Sequence, residues 1–164
     1  MTRAVLSIGS NMGDRLGYLR MAVSGFADAL VAVSPVYETA AWGVTDQPDF
    51  LNAVLIVSDP TVDEWGWLRR GQALEDASGR VRTLRWGPRT LDVDVVTVDG
   101  VTSADPSLLL PHPGAHERAT VLIPWLDVDP DAELPGHGRI ADLPFSSEGV
   151  RRRDDLALSG WMAG

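Results

Sequence analysis

Apolar positions along this chain switch between two periods. Ala4-Val5-Leu6-Ser7-Ile8 is a short apolar run ended by Gly9-Ser10-Asn11, which predicts a buried strand and then a turn. Leu16, Leu19, Val23, Phe26 and Leu30 recur at i, i+3 and i+4. That spacing predicts an amphipathic helix over about 13–31, with Asn11 or Asp14 as its cap. The Gly9-to-Asp14 turn reads first as a plain strand-to-helix connection, with an anion site at the helix N-terminus as the alternative. Residues 32–39 are strand-like again, and Pro35 marks an edge position or an irregularity. Residues 40–49 hold Gly43, Asp46, Pro48 and Asp49 and read as a loop. Phe50 to Val57 is a second strong strand whose clearly polar side chain is Asn52. Two readings of Asn52 stay open: a strand-end residue bonded to backbone, or a buried amide that reads a ligand.

A second helix is predicted over about 61–77, with Thr61 and Glu64 as a capping box and Gly79 as the stop. One of its stripes, Trp65, Leu68, Gln72 and Glu75, starts apolar and turns polar, as the wall of a site or a solvated helix end would. A strand follows over about 91–98. Then come Leu108-Leu109-Leu110-Pro111-His112-Pro113, a short segment with His116, Glu117 and Arg118, and an apolar run from Thr120 to Leu126. The chain reads as a single domain over residues 1–145, with 146–164 as a loosely held tail. The order over residues 1–98 is β-α-β-β-α-β, the pattern of an α+β, ferredoxin-like fold. Two helices would cover one face of an antiparallel sheet and leave the other free for a ligand, roofed by the loops and the C-terminal segment, with extra strand and helix elements toward the C-terminus.

Composition narrows the chemistry. The 164 residues carry a net charge of −9, which argues against a general nucleic-acid binder. All 14 basic residues are arginine, so a Walker-type phosphate loop and lysine Schiff-base chemistry are excluded. With no cysteine there is no thiol nucleophile, disulfide or thiolate-bound zinc. No apolar stretch approaches a membrane span and no signal peptide is evident, so a cytoplasmic protein is expected. Six of the 14 arginines fall between residues 69 and 89, against Glu75 and Asp76. Such a cluster reads as a focused anion site or as helix ends plus a basic loop.

That cluster runs into the most informative segment, Arg80-Val81-Arg82-Thr83-Leu84-Arg85-Trp86-Gly87-Pro88-Arg89-Thr90-Leu91-Asp92-Val93-Asp94. Strand side chains alternate faces, so Asp92 and Asp94 point the same way with Cβ atoms about 6–7 Å apart. Paired carboxylates hold hard cations such as Mg²⁺, which keep substrate phosphate in their shell. Arginines upstream grip phosphate oxygens with paired donors. Metal and polyphosphate together point to nucleotide-dependent transfer.

The chain resembles the 6-hydroxymethyl-7,8-dihydropterin pyrophosphokinase family from Ile8-Gly9-Ser10-Asn11 to about Leu143. The landmarks are Gln47-Pro48-Asp49-Phe50-Leu51-Asn52-Ala53, Gly79-Arg80-Val81-Arg82, Arg85-Trp86-Gly87-Pro88-Arg89 with Asp92 and Asp94, Pro111-His112-Pro113, and His116-Glu117-Arg118. The resemblance implies ATP-dependent pyrophosphoryl transfer to a pterin alcohol in folate biosynthesis by a monomer, with ATP and the pterin as its partners. It implies that Asp92 and Asp94 bind two Mg²⁺ ions, and that Arg82, Arg89, His112 and Arg118 engage the triphosphate. Gln72 and Glu75 would line the ATP end. The pterin would be held by backbone from Thr39 through Ala40 to Trp42, by Asn52 and by stacking on Phe50, with Trp86 folding over the site as a loop hinged at Gly79 and Gly87 closes. His112 would donate to the α-phosphate or act as an acid. Three positions depart from the family: Thr120 for a usual large aromatic, Gly114 for a frequent basic residue and Ala41 for a frequent proline. Thr120 would leave the pterin stacked by Phe50 alone unless Trp42 or Trp125 moves in. A family member with weak transfer and a ferredoxin-like RNA-binding or regulatory module are the rival readings.

Overall fold

A central antiparallel sheet is built on β1 (Arg3–Ser10), flanked by β4 (Phe50–Ser58) and β5 (Asp92–Val98). The computed structural model describes residues 3–39, 49–79, 90–147 and 149–158. In chain order the other elements are α1 (Arg15–Gly25), β2 (Leu30–Val33), β3 (Tyr37–Thr39), α2 (Glu64–Ala77), β6 (Ser103–Asp105), β7 (Leu108–Leu110), α3 (Ala119–Val128), β8 (Glu133–Leu134), β9 (Gly138–Arg139) and β10 (Val150–Arg152). The main sheet runs β10-β3-β4-β1-β5, with β2 also pairing to β4. Without β10, this is the ferredoxin-like arrangement expected from the element order.

The two sheet faces are covered differently. Ala4, Leu6 and Ile8 of β1, with Leu51, Ala53, Leu55 and Val57 of β4, pack under α1 and α2 around Phe26 and Trp67. Val5, Val54, Ile56 and Val96 point the other way and pack against Val121, Leu122 and Trp125 of α3. The second face is therefore not wholly free, because α3 covers part of it. Pairing between β1 and β5 shifts register after Val5, so Val96 has no partner on β1 and turns its side chain toward α3.

Several boundaries differ from the sequence reading. The first helix stops at Gly25; Ala27–Ala29 form a 3-10 turn and Leu30 already opens β2. Leu30 fits the helical period but serves the strand, a change of period that spacing alone does not mark. Asp14 does cap α1, accepting from Gly17 N at 3.0 Å. Gly9 and Ser10 belong to β1 and not to a turn. The cap of α2 is Asp63, which accepts from Gly66 N at 2.7 Å, while Thr61 bonds back to Asp59. Asp63 wins because it immediately precedes the helix that starts at Glu64. The buried stripe of α2 is Trp67, Gly71 and Glu75, with Gln72 exposed and Trp65 half-buried. Gly71 permits this packing: a Cβ there would lie 2.9 Å from Val93 Cγ1. Gly79, at φ +79°, ends the helix as expected.

The loosely held tail expected from residue 146 is corrected over 150–158. Val150, Arg151 and Arg152 pair with Thr39, Glu38 and Tyr37 and add β10 to the sheet edge. Leu158 is buried in the core under α1. The arginine cluster also divides by role. Arg70 lies over the rings of Phe26 and Trp67 at 5.1 and 5.5 Å and bonds Asp28 at 2.7 Å, so it joins α2 to α1.

Candidate active site

The site follows from register. Asp92 pairs with Gly9, Gly9 with Asn52, and Asn52 with Tyr37, so one row crosses four strands. Asp94 pairs with Ser7, two residues along. Both aspartates are half-buried while Val93 between them is buried, the alternation expected of a strand with one face in the core. Asn52 and Phe50 emerge on the same face from β4 and are half-buried. With two strand spacings between them, Asn52 and Asp92 are about 10 Å apart at Cα.

Gly9 is the floor between these two ends. A Cβ at this position would lie 2.8 Å from Asn52 Oδ1 and 3.7 Å from Phe50 Cδ1, so the amide of Asn52 lies over bare backbone. The other end of that amide donates from Nδ2 to Thr39 Oγ1 at 3.1 Å. Asn52 is thus held by a side chain of the neighbouring strand, and the backbone-bonded reading of it is replaced. Thr39 pairs directly with Phe50. Tyr37, one row further, donates its hydroxyl to the Asp127 carboxylate of α3. Burial first, and then Asp127, push the Tyr37 phenol up to about 12.

Glu75 reaches β5 from behind. It is 4% exposed, and its Oε2 accepts from Val93 N at 2.9 Å. β5 is the sheet edge, so this backbone N–H has no strand partner and the α2 carboxylate serves it instead. The base of residues 80–89 is tied as well. Ser78 Oγ donates to Glu75 O at 2.6 Å and shares a 2.7 Å hydrogen bond with Thr90 Oγ1, both residues being buried.

His112 follows β7, and its backbone N donates to Val96 O at 2.8 Å, which docks it beside β5. Its side chain is half-buried. Burial first, and then the positive charge of Arg118, hold its pKa below the usual 6.5, against the pull of the Asp92 carboxylate. The imidazole is therefore neutral at pH 7. Arg118 is exposed at the start of α3, and Thr120 is half-buried in its first turn. Gly114 has φ +80°, a left-handed conformation that suits glycine better than the basic residue common in the family. Trp125 is 3% exposed within the core under α3, so it does not supply a stacking face.

Of the expected site residues, Thr39, Phe50, Asn52, Glu75, Asp92, Asp94, His112, Arg118 and Thr120 lie among the described residues. Gln72 also does, on the exposed side of α2. Ala40, Trp42, Arg82, Trp86 and Arg89, together with the expected loop closure and the hinge at Gly87, lie outside them. Among the described residues no group of three or more His, Asp or Glu side chains is placed to hold a metal ion. Two carboxylates on one strand face have the oxygen donors that suit a Mg²⁺ taken up with one or two carboxylates and substrate phosphates. Sequence reasoning missed Gly9 as the site floor, the Ser78–Thr90 tie and the bond from Glu75 to Val93. Cross-strand register was the missing information in the first case.

Comparison with known proteins places the chain in a family. The profile of 7,8-dihydro-6-hydroxymethylpterin-pyrophosphokinase (HPPK) matches residues 5–130. The 2-amino-4-hydroxy-6-hydroxymethyldihydropteridine pyrophosphokinase of Mycobacterium tuberculosis is 54% identical over 143 residues, covering 82% of this chain and 76% of its own. The proteins of the same name from Mycobacterium leprae and Pseudomonas aeruginosa are 52% and 37% identical, each over 92% of this chain and over 88% and 96% of their own. Among solved structures, a Plasmodium falciparum HPPK-DHPS triple mutant with pteroate aligns with TM-score 0.66 over 85% of this chain and 42% of that one. At 14% identity, that likeness is one of fold. The profile match and the relatives together establish that the chain belongs to the 7,8-dihydro-6-hydroxymethylpterin-pyrophosphokinase family.

Proposed function

We propose that the chain transfers a pyrophosphoryl group from ATP to the hydroxymethyl group of 6-hydroxymethyl-7,8-dihydropterin, with Asn52 and Asp92 at the two ends of the reacting assembly. The single observation that carries this assignment of roles is the Asn52–Gly9–Asp92 row on one sheet face. Family membership and the names of its relatives support the reaction itself, a step in folate biosynthesis.

The pterin ring lies over Gly9, its edge read by Asn52 and its face stacked on Phe50, with Thr39 fixing the Asn52 amide. By the family resemblance, backbone contacts from Ala40 to Trp42 would complete this end and Trp86 would cover it. The triphosphate lies toward β5, where His112 and Arg118 stand beside Asp92; by the family resemblance Arg82 and Arg89 would supply further donors. Gln72 borders the ATP end from the exposed side of α2, and Glu75 serves it through Val93. Two Mg²⁺ ions held by Asp92 and Asp94 would neutralise phosphate charge and lower the pKa of the attacking hydroxyl.

The pterin hydroxyl oxygen forms its bond to the β-phosphorus, the bridge to the α-phosphate breaks, and AMP departs with the bridging oxygen. The hydroxyl proton passes to water, so no side chain has to act as base. Catalysis then consists of alignment and charge neutralisation. His112, neutral at pH 7, donates a hydrogen bond to the α-phosphate without adding charge. The working unit is a monomer in the cytoplasm; among the described residues no helix is long and apolar enough to cross a membrane.

Asp94→Ala tests the assignment. Its far-ultraviolet circular dichroism should match wild type while AMP formation falls at least about 100-fold, the scale of losing a charge-neutralising group. Substantial activity in a folded variant would remove Asp94 from the metal set.

A further inference from the structure

Glu38 lies in the middle of β3, on the side opposite Thr39 and Tyr37, and is 6% exposed. Three arginines converge on it. Arg15 Nη1 donates to its Oε2 at 2.7 Å, while Arg151 Nη2 and Arg153 Nη1 donate to Oε1 at 2.7 and 2.9 Å. The same Arg15 Nη1 donates to the Asp49 carbonyl at 2.8 Å, and Arg151 stands 3.6 Å from the Asp49 carboxylate. Arg153 is also paired with Asp155. Three arginines thus meet three acids, and the cluster balances its charge.

Its position is what gives it consequence. Glu38 and Asp49 flank residues 40–48, so Arg15 fastens the chain on both sides of that segment. Thr39 and Phe50, the next residue at each side, pair with one another, and Asn52 follows on β4. β10 closes the outer edge by pairing Val150 with Thr39 and Arg151 with Glu38. The pterin-side residues are thereby held by groups that do not reach the pterin. Burial raises the Glu38 carboxyl, but the bonds from Arg15 and Arg153 outweigh it and leave its pKa below the usual value. The carboxylate is charged, and the lattice of bonds is fully engaged at neutral pH.

We propose that Glu38 with Arg15, Arg151 and Arg153 is a positioning cluster for the pterin half of the site, through which the C-terminal strand sets affinity for the pterin alcohol and not for ATP. This rests on the function proposed above. The metal strand lies at the opposite edge of the sheet, two strands beyond β4. Loosening the cluster therefore displaces Thr39, Phe50 and Asn52 while Asp92 and Asp94 keep their places.

Calorimetric titration of the full chain with the reduced pterin alcohol, and separately with a non-hydrolysable ATP analogue and Mg²⁺, tests this. Glu38→Gln should weaken pterin binding about 10-fold and Arg151→Gln about threefold, because misplacement of binding groups is costly. Binding of the ATP analogue should change less than twofold in both. Arg151 is an exposed arginine, so its variant folds even where Glu38→Gln does not. Arg151→Lys, which restores a point charge, should recover most of the pterin affinity, a recovery that general destabilisation would not give. Unchanged pterin affinity in Arg151→Gln, or a parallel loss for both ligands, would overturn the proposal. A wild-type chain that binds the pterin but forms no AMP would count against the reaction alone and leave the cluster to be judged on the same titrations.

Discussion

Gly9 decides how closely the Asn52 amide can lie to the sheet. The 2.8 Å from its would-be Cβ to Asn52 Oδ1 leaves no room for a methyl group unless the amide swings away. Gly9→Ala should therefore weaken pterin binding about fivefold, on the order of one misplaced hydrogen bond, and leave ATP-analogue binding unchanged. Fluorescence titration reads both, and equal pterin affinity in the variant would mean that Asn52 does not read the ring. The paired aspartates were legible at this scale because strand alternation makes i and i+2 share a face whatever the neighbours do. Gly9 was not legible as part of the site, because its role depends on which β4 residue stands opposite. Glu38 was silent for a similar reason: its partners Arg151 and Arg153 come from 113 and 115 residues away. A charged residue within a strand did carry one signal, since burial of a carboxylate demands partners.

At the scale of elements, α2 and β5 act as a unit. Gly71 lets the helix approach Val93, and Glu75 then accepts from the Val93 N–H between Asp92 and Asp94. Glu75→Ala removes a buried acceptor and leaves that donor unsatisfied, which should cost about 1–3 kcal/mol of stability. Urea unfolding measures the loss, and calorimetry should show weaker Mg²⁺-dependent binding of an ATP analogue. An unchanged unfolding midpoint would show that the Glu75 bond does not support β5. The existence of both helices and of the strands was readable from their periods, whereas their ends were not. Thr61 and Asp63 are both good caps, and only the helix start at Glu64 chooses between them. Leu30 likewise satisfies the helical spacing and the strand that replaces it.

Across the whole molecule, one sheet joins an Asn52 end braced by the C-terminal strand to an Asp92 end braced by α2. Acid should loosen it in two stages. His112 is held below its ordinary 6.5, so the unfolded chain takes up its proton first and stability begins to fall as pH drops below that value. Glu38 is held below its ordinary 4.5, so its contribution is complete above that value and is lost as pH falls through its lower folded pKa. The thermal midpoint of wild type should thus fall steeply below about pH 4.5, and that of Glu38→Gln should start lower and fall less; parallel curves would contradict the role of the carboxylate. The β-α-β-β-α-β order was enough to read the sheet and to expect further C-terminal strand and helix elements, but the packing of α3 on the second face and the pairing of β10 at the edge do not follow from local period. The most direct test of the central claim is product analysis with ATP, Mg²⁺ and 6-hydroxymethyl-7,8-dihydropterin. The chain should release AMP in equal amount to pterin diphosphate, and only when the pterin is present. ADP as the nucleotide product, or AMP release that does not depend on the pterin, would contradict it.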